Sequence, residues 1–232
     1  MSQPMTRDEA PGSGEIAMPK PAPAPAPAPA PEGPRFADPT ALGLFGLAIG
    51  CASLLPVAFG MKSAMTPDAL RTAAVLCLLF GGGCQMLAGL MSFANKNMLG
   101  GTLLTTFSFN WVMNWWALDG LVNGKPPSAT VLLAIDLCFI VIFLAMTYAF
   151  AFYSKVLVLF LVDIDLLYVL RITKELVPST HAVCALGVAI ATVVLMLLAL
   201  YIAVALVLVA ATGKSPLPMG GPMLGGAKAA AH

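Results

Sequence analysis

Residues 79–116 read LFGGGCQMLAGLMSFANKNMLGGTLLTTFSFNWVMNWW, and their reading decides the fold. Two apolar runs are joined by a loop of a few residues. The first run holds Gly81-Gly82-Gly83 and Gln85. The second opens on Gly100-Gly101 and carries Thr102, Thr105, Thr106, Ser108, Asn110 and Asn114. A helix that touches only lipid has no use for so many polar groups, since each needs a partner away from water. A helix lining a path for a polar solute does use them. The segment favours a transport protein over a simple membrane anchor.

Composition agrees. The chain is 59% apolar and 10% charged, with a mean hydropathy of +0.90. Soluble domains average about 25% charged residues. The net charge of +1 supplies no basic field for nucleic acid. A length of 232 residues allows one domain plus tails.

Crossing a bilayer as a helix takes about 20 mostly apolar residues. Six segments qualify, roughly 40–60, 70–93, 99–121, 129–152, 155–172 and 182–212. The last is longer than a span needs and has room to tilt. The fifth is short and interrupted by Asp163 and Asp165. Short connections favour antiparallel neighbours in one bundle. The runs are continuous and not alternating, so strands are excluded. The expectation is an all-α, six-transmembrane-helix domain over 37–213, in contact with a lipid bilayer.

The flanks differ in kind. Residues 1–36 contain the Pro-Ala repeat MPKPAPAPAPAPAPEGPR, which reads as an extended, disordered spacer or a docking segment for a partner. No apolar signal-peptide core precedes the first span, so that span is expected to be retained. Residues 214–232 read as a flexible tail. Six spans put both termini on one side. That side carries Arg7, Lys20, Arg35, Lys96, Lys155, Lys214 and Lys228, against Lys62, Arg71, Lys125, Arg171 and Lys174 on the other. The positive-inside rule then favours cytoplasmic termini in an inner or plasma membrane.

Chemistry-bearing clusters are missing from the sequence pattern. Cys51, Cys77, Cys84, Cys138 and Cys184 all fall inside spans without a C-x-x-C pair, and read as small packing residues. His181 and His232 are isolated, so no metal site is expected. There is no nucleophile–base constellation and no phosphate loop. No cofactor and no enzymatic activity are expected. The glycines have two compatible readings: close helix approach, or a narrowed pore with backbone freed for a solute. Gln85 also has two: a hydrogen bond to a neighbouring helix, or an amide offered to a passing carboxylate.

Asp136, Asp163 and Asp165 are the expensive residues. An acidic residue at mid-bilayer costs about 2.5–3.5 kcal/mol on insertion scales, so such groups turn to a bundle interior or a wet cavity. Residues two apart on a helix point about 200° from each other. Asp163 and Asp165 therefore do not both face one lumen, unless they lie at the headgroups on a short helix end.

Several separated motifs resemble the acetate uptake transporters, also called the succinate-acetate permease family. The family opens its first span with an N-P-A-P-L-G-L type motif. Here Asp38-Pro39-Thr40-Ala41-Leu42-Gly43-Leu44 keeps the first Pro and the L-G-L. A G-G-x-x-Q element followed by A-G matches Gly81-Gly82, Gln85 and Ala88-Gly89. Asn97 and Gly100 match the family's short loop. Tyr201, Gly213 and Leu217-Pro218-Met219-Gly220 match its close. The resemblance covers roughly 38–220. It implies six helices per subunit, a homo-oligomeric hexameric ring, and passage of small monocarboxylates such as acetate, and in some members succinate, with protons or by a channel-like route. It also implies a constriction from the first, third and fifth helices, which falls on Leu47, Phe107 and Ile164. The first position is usually aromatic and the second often Tyr, so this constriction is greasier. Asp163 and Asp165 flank Ile164 where small hydroxyl residues are commoner.

The expected mechanism is selection by size and polarity at an apolar constriction. Gln85, Thr106, Asn110 and Asp163 or Asp165 are the candidates for hydrogen bonds or protons along the path. Two rivals stay open. The aspartates favour a neutral or cationic solute such as ammonium. The Pro-Ala tail favours a non-transporting membrane scaffold or sensor.

Overall fold

Each helix begins where the sequence offers a cap. The computed structural model describes residues 33–225, and among them six long helices run from Thr40 to Thr212. The first, α1, is Thr40–Ala58, and Asp38 Oδ1 accepts from Thr40 N at 3.0 Å just before it. The second, α2, spans Pro67–Ala94, with Pro67 in its first turn behind the capping hydroxyl of Thr66. The third, α3, is Met98–Val122, capped by Asn97 Oδ1 on Gly100 N at 2.9 Å. Ser128 caps α4, Ala129–Phe150, and Ser154 caps α5, Lys155–Leu176. The sixth, α6, is His181–Thr212 and stops at Gly213, whose φ of 67° is a left-handed end that glycine takes without strain. These caps satisfy backbone N–H groups that a helix start leaves without partners.

The six helices coincide with the six apolar segments. Four of them are long and apolar enough to cross a membrane: α1, α2, α4 and α6, the last with the short turn before it. The protein is an integral membrane protein. The two that fall short, α3 and α5, carry the polar residues and stand at the middle of the packing. α1 lies against α2 and α6, α6 against α5, α5 against α4, and α2 against α3. Leu87, Leu90, Phe109, Val141, Leu144 and Val183 are exposed on the outer faces, where lipid covers apolar side chains.

α2 is not uniform. Residues Cys77–Cys84 wind as a π-helix between two α-helical stretches. π-turns are rare and gather at functional sites. Here the widened turn brings the glycine run against its neighbours. A Cβ on Gly81 would run into the Trp111 ring of α3, and one on Gly46 of α1 would run into Cys84. A Cβ on Gly83 would meet only Leu78 O at 3.7 Å, an ordinary contact. The close-approach reading thus rests on Gly46 and Gly81, not on the whole run.

The two flanks of the bundle are tied at one end. Asn95 Nδ2 donates to Phe36 O at 2.9 Å and Phe36 N donates to Asn95 Oδ1 at 2.8 Å. After α6 the chain returns across the start of α5. Ser154 Oγ donates to Met219 O at 2.6 Å, and Lys155 N and Val156 N donate to Gly221 O and Met219 O, each at 3.2 Å. Tyr201 OH donates to Pro218 O at 2.8 Å. The segment expected to be a flexible tail from 214 makes these bonds over 218–224. The rest of that expectation, 226–232, lies outside the described residues, as does the Pro-Ala spacer over 1–32.

Candidate functional site

Two cavities lie between the helices, and they share a wall. The first, about 220 Å³, opens toward the end of the bundle where the described chain begins and ends. Asp38, Thr40, Asn97 and Met219 line its outer part, with Gln85, Leu47 and Phe160 further in. The second, about 170 Å³, lies toward the opposite end. It is lined by Cys51, Asn110, Trp111, Asn114, Tyr168 and Arg171, among others. Phe107 and Ile164 line both. Leu47 faces the first cavity and Cys51, one helical turn along α1, faces the second. Leu47, Phe107 and Ile164 are buried, with 0%, 5% and 1% exposure. The structure brings these three side chains, from α1, α3 and α5, to the partition between the two cavities.

The partition is braced. The Phe107 ring meets Phe143 of α4 edge-on, and Trp111 edge-on at 6.2 Å between centroids. Behind Phe143, Phe139 and Tyr168 continue the stack, each pair of centroids under 6 Å apart. Such offset and edge-on pairs are worth about 0.5–1.5 kcal/mol beyond their burial. The Tyr168 hydroxyl donates to Asn110 Oδ1 at 3.2 Å.

The remaining expected path residues divide. Gln85 is 1% exposed, lines the first cavity, and its Oε1 has no hydrogen-bond partner in the protein. Its amide presents an acceptor and donors side by side, the complement of a carboxylic acid. Asn110 and Asn114 line the second cavity. Thr106 is half-buried and lines neither. Thr105 and Ser108 turn back on their own helix, donating to Gly101 O at 2.6 Å and Thr105 O at 2.7 Å. Much of the polar run on α3 is thereby satisfied within the helix.

Neither Asp163 nor Asp165 lines either cavity. Both are buried. Thr147 of α4 donates to Asp165 Oδ2 at 2.7 Å, while Asp163 Oδ2 has no partner. The two lie on different faces of α5, as their spacing requires. Asp136 is held by Arg171 of α5 in a two-point contact: Nε donates to Oδ2 at 3.0 Å and Nη2 lies 2.9 Å from Oδ1.

Sequence reasoning passed over Arg171, Tyr168, Phe143 and Trp111. A signal existed for the first. An intramembrane carboxylate such as Asp136 needs a partner, and Arg171 is a basic residue near the same end of an adjacent helix.

A family model described as the GPR1/FUN34/yaaH family matches residues 21–215. No curated protein sequence matches the chain closely. Among solved structures, that of the bacterial acetate channel SatP superposes with a TM-score of 0.70 at 23% identity, covering 80% of this chain and 100% of that one. The likeness shows a shared six-helix fold.

Proposed function

The chain belongs to the GPR1/FUN34/yaaH family, and from that premise we propose that it is a membrane channel or permease for small monocarboxylates such as acetate. The observation that carries this reading is the pair of cavities facing opposite ends of the bundle and parted by Leu47, Phe107 and Ile164. An apolar partition between two hydrated vestibules favours a solute with a methyl or methylene body and a single polar end. Gln85 on one side and Asn110 on the other offer hydrogen bonds to that end. The fold shared with an acetate channel supports the same reading.

Finer points belong to the same proposal. The protein is a carrier of solutes and not an enzyme. It works as a hexameric ring with cytoplasmic termini, and Asp163 or Asp165 couples transport to protons. Transport of a cation such as ammonium is disfavoured, because Asp38 is the sole carboxylate lining the two cavities, and its Oδ1 is engaged by Thr40.

Uptake of labelled acetate by proteoliposomes tests the reading. Saturable flux above protein-free vesicles is expected. Flux no greater than that of empty vesicles would sink it.

A further inference from the structure

The second cavity is rich in hydrogen-bond donors and lined by no carboxylate. Arg171 stands in its wall and also in the wall of a neighbouring pocket that holds Asp136, Lys174 and Glu175. Lys174 and Glu175 are paired with each other at 3.3 Å. A guanidinium has five N–H donors in a planar fork. The contact with Asp136 engages Nε and Nη2, which leaves Nη1 and the second Nη2 hydrogen unspent. The Arg171 side chain keeps 21% exposure while that of Asp136 keeps 4%, so the carboxylate is the interior partner and the guanidinium the accessible one.

Its neighbours hold it and extend it. The guanidinium carbon lies 5.5 Å from the centroid of the Tyr168 ring, a cation–π contact that fixes its height above the stack. Tyr168 OH occupies Asn110 Oδ1, so the amide hydrogens of Asn110 are what that residue has left to offer. Trp111 lines the same cavity, is 2% exposed, and its indole N–H has no partner in the protein. A buried donor without an acceptor is costly. Three donor groups around one void call for an acceptor-only ligand.

We infer that Arg171, moored by Asp136, is the receiving site for a small carboxylate anion in the second cavity, where the anion docks before the Leu47–Phe107–Ile164 partition. This rests on the proposed transport of carboxylates and assigns to it a residue that reads the charge. Asp136 is a positioning residue. It fixes the fork and offsets its charge, so the anion is held by hydrogen bonds without being trapped, which conduction requires.

The test is the concentration dependence of acetate uptake in proteoliposomes, with uptake of acetamide, its neutral isostere, alongside. Removing only Arg171 would strand a buried carboxylate, so both charges are removed together in Arg171→Met/Asp136→Leu. The expected result is a KM for acetate raised about tenfold, with a maximal rate within about twofold and acetamide uptake unchanged. Arg171→Lys keeps a charge beside Asp136 but loses the fork, and it should raise KM severalfold; it decides the matter alone if the double variant does not fold. An unchanged KM in the presence of normal flux overturns the inference and leaves the proposed function standing. Parallel changes for acetate and acetamide overturn it as a packing effect. Absence of acetate flux in the unaltered protein overturns the proposed function and the inference together.

Discussion

The rings of Phe107 and Phe143 meet edge-on, with centroids 5.3 Å apart and planes at 87°. One ring belongs to the partition between the cavities and the other to a stack on α4 and α5 that touches neither cavity. The partition is therefore held in place by residues that a permeating solute never meets.

Phe107→Ala should join the two cavities. Acetate flux is expected to rise and longer acids such as butyrate to be admitted. Truncating a buried Phe also costs about 3–5 kcal/mol of stability, so Tm should fall. Flux and thermal unfolding of the same preparation check both. Unchanged selectivity would remove Phe107 from the gate.

The glycine run offers a paired comparison. Gly81→Ala should push Trp111 toward the second cavity, lowering flux and costing about 1–3 kcal/mol by overpacking. Gly83→Ala, exposed and with open space around its Cβ, should be near neutral. Equal effects at the two positions would contradict the close approach described for Gly81.

Tyr168→Phe keeps the stack and deletes the hydroxyl that engages Asn110. A loss of about 1 kcal/mol is expected. Asn110 then turns freely, so KM for acetate should change while the maximal rate does not. A change in maximal rate with KM constant would assign Tyr168 to the partition instead.

The two aspartates of α5 should separate. Asp165 is bonded to Thr147, so Asp165→Asn is expected to lower expression or thermal stability and to keep the pH profile of transport. Asp163 has an unpartnered oxygen next to Ile164, and Asp163→Asn is expected to flatten that profile. Uptake measured from acid to neutral pH decides. Both variants retaining the original profile would mean that neither carboxylate carries protons.

The helices were legible because each span is a long apolar run closed by Asn, Ser, Thr, Gly or Pro, and lipid imposes one solution on such runs. Even the doubtful fifth span forms a helix, α5, reaching Leu176 past the expected end at 172. The grouping of Leu47, Phe107 and Ile164 came from resemblance, since nothing in their spacing marks them. What could not be read was which polar groups look inward. Thr105 and Ser108 resemble path residues in sequence, but their hydroxyls return to their own helix. The Asp136–Arg171 pair joins positions 35 residues apart, and only the packing of α4 on α5 reveals it. The bonds over 218–224 were likewise hidden, since a Gly-Pro-rich stretch carries no periodicity to announce a partner.

The π-helical stretch Cys77–Cys84 carries one more consequence. A turn wound that way stores spare chain, so loss of one residue within it can be absorbed by tightening to an α-helix. Everything after it would then rotate by about 100° about the helix axis. Gln85 would leave the first cavity and Gly89 would leave its seat against Thr105. Length differences among relatives within this glycine run are thus differences of rotational phase, not of span length. An alignment that slides its gap along the glycines will compare side chains facing different ways.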